Sequence, residues 1–212
     1  MADAPAPTWK PGMDQESFVQ ALESKRLDMA DYLTIDGLLY HRDTRELVTG
    51  IVETSIGNAM RTSERATYKN GEKTGLWEEF YENGQLQSRR ICINGKLEGL
   101  WKDYHENGQL KSIRNCINGK EDGLHESFHD NGQLRWIGNY KNNKQEGLWE
   151  QFHQNGKLIS RSNYNNGNPQ GVWEGFHDNG QLSWIGNYKN NKLEGLWGSF
   201  YANGQLRSRR SS

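Results

Sequence analysis

Read for its apolar and polar positions, most of the chain alternates with a period of two, in short runs broken by Asn and Gly. From Gly75 the pattern returns every 24 residues: Gly-Leu-Trp or a close variant begins at Gly75, Gly99, Gly123, Gly147, Gly171 and Gly195. Asn-Gly follows in register at Asn83, Asn107, Asn131, Asn155, Asn179 and Asn203, with Leu86, Leu110, Leu134, Leu158, Leu182 and Leu206 three residues later. Alternation of this kind predicts half-buried strands, and the dipeptides predict tight turns between them. Each unit reads as a hairpin: one strand from Gly75 to about Glu82, a type I′ turn at Asn83-Gly84, and a second strand from Gln85 to about Ile93. Asn94-Gly95, or a variant such as Asn142-Asn143, then turns the chain into the next unit.

Connections this short make successive strands antiparallel neighbours. The predicted fold is therefore all-β: an elongated, twisted, single-layer antiparallel sheet of hairpin repeats, each packed mainly on its neighbours. A two-residue turn sets Glu82 opposite Gln85, Tyr81 opposite Leu86, Glu79 opposite Ser88, Glu78 opposite Arg89 and Trp77 opposite Arg90. One face then carries Trp77, Tyr81, Leu86 and Cys92, and the other Leu76, Phe80 and Ile91. The same register puts Trp136 opposite Ser127, Trp184 opposite Gly175, and Glu150 opposite Arg161. Bulky rings thus meet small partners, and charges meet their opposites.

The N-terminal part is different material. Residues 1–12, with Pro5, Pro7 and Pro11, read as a flexible tail. Residues 13–36 read as a short α-helical segment: Asp14 is a plausible N-cap, and Phe18, Val19, Leu22, Met29, Ala30 and Leu33 follow a 3.6-residue stripe. Two roles fit that helix, capping the start of the sheet or docking a partner. Residues 37–74 form a degenerate first repeat, residues 75–206 hold six repeats, and 207–212 are a basic end with Arg207, Arg209 and Arg210.

Composition sharpens this picture. Only 33% of residues are hydrophobic, and Leu, Ile, Val and Phe make up about 18%, below the ~20% that warns of disorder. Net charge is only -1 and there are 8 Trp, which disordered chains rarely combine. The shortage fits a thin sheet whose turns consume Asn and Gly. No apolar run approaches the roughly 18 residues of a membrane span, and no secretory signal is visible. Lys+Arg 26 against Asp+Glu 27 argues against a general grip on nucleic acid or an anionic membrane.

The unit G-x-W-x-x-[FY]-x-x-N-G-x-L, with Asn83-Gly84-Gln85-Leu86 as one half and Tyr164-Asn165-Asn166-Gly167 as the other, resembles the MORN-repeat variant. The resemblance covers about residues 37–206, where Asp36-Gly37-Leu38-Leu39-Tyr40, Thr49-Gly50-Ile51 and Tyr68-Lys69-Asn70-Gly71 look like the degenerate first unit. The arrangement is similar to bacterial YwqK-type antitoxins of toxin–antitoxin systems. It implies a non-catalytic protein-binding role, with a toxin or effector as the partner. MORN repeats are also associated with scaffolds and membrane junctions, so self-association is the alternative.

Candidate chemistry is confined to the repeat. His105, His129, His153 and His177 form one column with Tyr81 and Tyr201 at its ends. Equivalent positions lie about 9.6 Å apart, and Tyr at the ends fits an aromatic shelf better than a metal site, so no metal or cofactor is expected. Cys92 and Cys116 share another column, too far apart for a disulfide; free thiols fit a reducing cytosol. Trp77, Trp101, Trp149, Trp173 and Trp197 form a third column, interrupted by His125. Packing explains part of it, yet a single layer should leave some rings accessible as anchors. The expected partner-binding residues are therefore Trp77, Trp101, His105, His129, Trp136, Trp149, His153, Trp173, His177, Trp184 and Trp197. No Gly-rich phosphate loop or catalytic triad stands apart from the repeat, so no enzyme is expected.

Overall fold

The computed structural model describes residues 31–56 and 61–211, and there is no α-helix among them. The chain divides into two compact units, one ending at Glu98 and the other beginning at Gly99.

In the first unit, Tyr32–Ile35 pairs antiparallel with Leu38–His41 across a turn at Asp36-Gly37, where φ is 51° and 81°. The expected helical segment thus ends in a strand. Tyr-Leu-Thr-Ile is aromatic and β-branched, and Asp-Gly is a type I′ hairpin signal; together they outweigh the match of Leu33 to a helical stripe. The rest of that helix and the flexible tail lie outside the described residues.

Gly50–Ile56 then pairs with Arg61–Lys69, which pairs with Glu72–Phe80, which pairs with Leu86–Ile93. A small core of Tyr32, Leu39, Val48 and Val52 lies here, with Tyr68 packed against it. Fully burying a side chain such as Val48 contributes roughly 1.5–3 kcal/mol. Gly71 closes this core: its N–H donates to the Val48 carbonyl at 2.8 Å, and its own carbonyl accepts from Leu39 at 2.9 Å. A Cβ on Gly71 would stand 2.7 Å from a Leu47 methyl and 2.9 Å from the Leu39 oxygen.

The second unit is a meander. Gly99–Tyr104, Leu110–Ile117, Lys120–Phe128, Leu134–Lys141, Lys144–Phe152, Leu158–Asn165, Gly171–Phe176, Leu182–Lys189, Leu196–Phe200 and Leu206–Ser211 follow one another, each antiparallel to the next. Arg207, Arg209 and Arg210 lie on the last of these strands.

The two turns of each repeat differ. At the second, Asn94 and Gly95 both have positive φ (49° and 71°), as a type I′ turn requires, and Ile93 faces Lys96. At the first, only Gly84 does, at 84°. The Tyr81 N–H donates to the Gln85 carbonyl at 2.9 Å and the Gly84 N–H to the Tyr81 carbonyl at 2.8 Å. This is a three-residue loop with glycine in the left-handed region, not the expected two-residue turn. Phe80 therefore faces Leu86, correcting the Tyr81–Leu86 pair and placing Leu86 with Phe80. One extra residue, Gln87, then bulges out and restores the predicted pairs Glu79–Ser88, Glu78–Arg89 and Trp77–Arg90.

Candidate binding faces

Register places the Trp column on the better-buried face of the sheet. In the first unit, Lys73 Nζ lies 3.7 Å and the Arg90 guanidinium 3.9 Å from the Trp77 ring centre. In the second, Arg114 lies 4.0 Å from the Trp101 ring and is held by Asp103 at 2.5 Å and Glu121 at 3.0 Å. The Trp101 indole N–H donates to Asp103 at 2.8 Å. These cations cover ring faces that a partner would need.

Further along, two glycines make room for an indole. A Cβ on Gly138 would stand 2.2 Å from Trp149, and one on Gly175 would stand 2.1 Å from Trp184. Trp184 faces Gly175 and Trp136 faces Ser127, as the size pairing predicts. Ring contacts run without a break from His125 through Trp136, Trp149, Tyr164 and Trp173 to Tyr188, with centroids 4.2–6.3 Å apart. Such pairs add about 0.5–1.5 kcal/mol each beyond burial.

Every candidate Trp is consequently buried or half-buried; Trp149 is 8% exposed. Trp149 is the one buried ring among these candidates; the other six keep part of their surface accessible. His125, the exception in the column, is also buried. Burial pushes its imidazole down to about 4, with Glu121 opposing, Arg114 reinforcing and Asp103 opposing.

The His column ties one repeat to the next. His105 Nε2 meets the Phe128 carbonyl at 3.0 Å, His129 that of Phe152 at 2.9 Å, and His177 that of Phe200 at 2.9 Å. A carbonyl only accepts, so each Nε2 carries the proton. His153 departs from the pattern, with Nε2 3.3 Å from Asp178. Neighbouring turn residues add to the tie: Asn107, Asn131 and Asn179 donate from Nδ2 to the carbonyls of Asp130, Gln154 and Ala202 at 2.6–2.9 Å.

Two shallow depressions gather some of these side chains. One of about 510 Å³ is lined by His129, Arg135, Phe152, His153 and Ile159. The other, about 580 Å³, is lined by His177, Trp184, Trp197, Arg207 and Arg210. Among the described residues no group of three or more His, Cys, Asp or Glu is placed to hold a metal ion. Cys92 and Cys116 are buried and form no disulfide, and burial raises the Cys92 thiol against the opposing pull of Lys73 and Arg90.

The opposite face carries a column that the sequence reading passed over. Leu100, Leu124, Leu148, Val172 and Leu196 are 46–58% exposed. They precede the Trp column by one residue, so alternation turns them outward. Asn115, Asn139, Asn163 and Asn187 stand opposite the first four of them. The signal was present: an aliphatic residue stands before the Trp position in every repeat.

The sequence profile of the MORN repeat variant matches residues 73–90, 97–118, 121–142, 145–166, 169–190 and 193–211. No curated protein matches the chain. Among solved structures, a point mutant of S. aureus TarM in complex with fondaparinux, alpha-GlcNAc-glycerol and UDP is 15% identical over 45% of this chain and 19% of that one, with a TM-score of 0.31. A second TarM crystal structure is 17% identical over 49% of this chain and 20% of that one, also at 0.31. The chain thus spans about a fifth of each of those proteins.

Proposed function

The chain belongs to the MORN repeat variant family, and from that premise we propose that it is a non-catalytic protein-binding protein. The observation that carries this reading is the exposed column Leu100, Leu124, Leu148, Val172 and Leu196. Apolar side chains repeated at one register position and left in water are what a partner's surface would bury. The titratable groups support a non-catalytic role, because they are engaged in structure: His105, His129 and His177 on carbonyls, and Arg114 between Asp103 and Glu121. The finer reading follows the resemblance to antitoxins. The partner is a toxin or effector, held in the cytoplasm and neutralised by occlusion against this face.

The test is a pull-down from the native host with the full chain as bait, followed by Leu124→Asp/Leu148→Asp and Trp101→Ala/Trp149→Ala baits. The first pair is expected to abolish capture while leaving the circular dichroism spectrum intact. Capture that survives Leu124→Asp/Leu148→Asp removes the aliphatic face from consideration.

A further inference from the structure

Asn-Gly builds both turns of the repeat, and it is also the pair most open to attack by its own backbone. The Gly nitrogen can close onto the side-chain carbon of the preceding Asn, and glycine puts no Cβ in the way. In the three-residue loops that nitrogen is held. Gly84, Gly108, Gly132, Gly156, Gly180 and Gly204 each donate to the carbonyl three residues back, at 2.8–2.9 Å. The Asn side chains are held as well. Oδ1 of Asn83, Asn107, Asn131, Asn155, Asn179 and Asn203 accepts from the backbone N–H two residues on, at 2.9–3.1 Å.

The type I′ turns are not alike. Gly71 and Gly167 donate to the Val48 and Gln145 carbonyls, at 2.8 and 2.9 Å. Asn142-Asn143 and Asn190-Asn191 put a side chain where glycine would be. In Asn118-Gly119 the Asn is engaged in an interaction of its own. Asn94-Gly95 has none of these protections. Asn94 and Gly95 are exposed, the Gly95 N–H makes no hydrogen bond among the described residues, and nothing lies within 4 Å of where its Cβ would stand.

We propose that Asn94 is a modification site of the native protein, at which the side-chain amide is lost by deamidation with water as co-reactant. The Gly95 nitrogen bonds to Asn94 Cγ, the Cγ–Nδ2 bond breaks, and ammonia leaves with the former amide proton, closing a cyclic imide. Water then adds to either imide carbonyl and reopens the ring to aspartate or isoaspartate. Nothing is oxidised or reduced. The product carries a new negative charge, and the isoaspartate form adds a backbone carbon inside a two-residue turn. That strains the pairs Ile93–Lys96 and Cys92–Leu97 on either side of the turn.

The test incubates the full chain, folded and in urea, in mildly alkaline buffer, and follows each Asn-Gly by peptide mapping that separates aspartate from isoaspartate. In the folded chain Asn94 is expected to convert roughly tenfold faster than Asn83, the difference one hydrogen bond makes to a barrier. In urea the two rates are expected to converge. Equal rates in the folded chain, or an unchanged gap in urea, overturn the proposal.

Discussion

Gly175 carries a hydrogen where any other residue would put a carbon 2.1 Å from the Trp184 indole nitrogen. Gly175→Ala is expected to lower stability by about 1–3 kcal/mol through overpacking, measured by urea denaturation; a change under a few tenths would mean that the ring has room to move. His125 gives a second prediction at this scale. Its folded value of about 4 lies below the free value of 6.5, so the unfolded chain takes the proton first. Stability is therefore full above pH 6.5 and is lost as pH falls toward 4. His125→Gln is expected to flatten the denaturation midpoint over that window, and a slope matching wild type would show that other groups set it. The sizes of facing residues were legible in the sequence, as Trp184–Gly175 and Trp136–Ser127 show. The exposure of the rings was not, because Lys73, Arg90 and Arg114 cover faces that a count of strands leaves open.

Hairpin register was legible for a reason that strand counting conceals. The loop at Asn83 holds one residue more than a type I′ turn, and Gln87 adds one more in the following strand. The two departures cancel beyond Glu79. Asn-Gly serves both turn types, so composition cannot separate them; the bonds of Tyr81 and Gly84 do. Asn131 illustrates what such a loop residue does: Oδ1 accepts from Gln133 at 3.0 Å while Nδ2 donates to Gln154 at 2.9 Å. Asn131→Ala removes both bonds and is expected to cost about 1–2 kcal/mol. Asn131→Asp, which keeps the acceptor, is expected to lose only part of that in the same thermal melt.

Across residues 99–211 the repeat period reveals the family, the strand order and the columns, because each arises from local alternation and turn chemistry. What the period leaves open is which column faces water, since that depends on how strands lean on one another. It left Leu124 and Leu148 unnoticed beside the larger Trp149. Stability in such an array is a sum over neighbours. His129→Phe and His177→Phe each remove one tie between repeats, at about 1 kcal/mol. Because the sites are remote from each other, the double variant is expected to equal their sum within about 0.5 kcal/mol. A larger deviation in a double-mutant cycle would show coupling beyond adjacent repeats.

The tie from His105 to Phe128 spans 23 residues, as do those from His129 and His177. That fixed reach constrains how the gene can change length. A whole repeat can be duplicated or deleted and every tie finds an equivalent acceptor. A single inserted codon in a strand between His129 and Phe152 must be taken up by a bulge, or it turns the rest of that strand to the wrong face. Tolerated lengths in this array are therefore expected to come mainly in steps of one repeat.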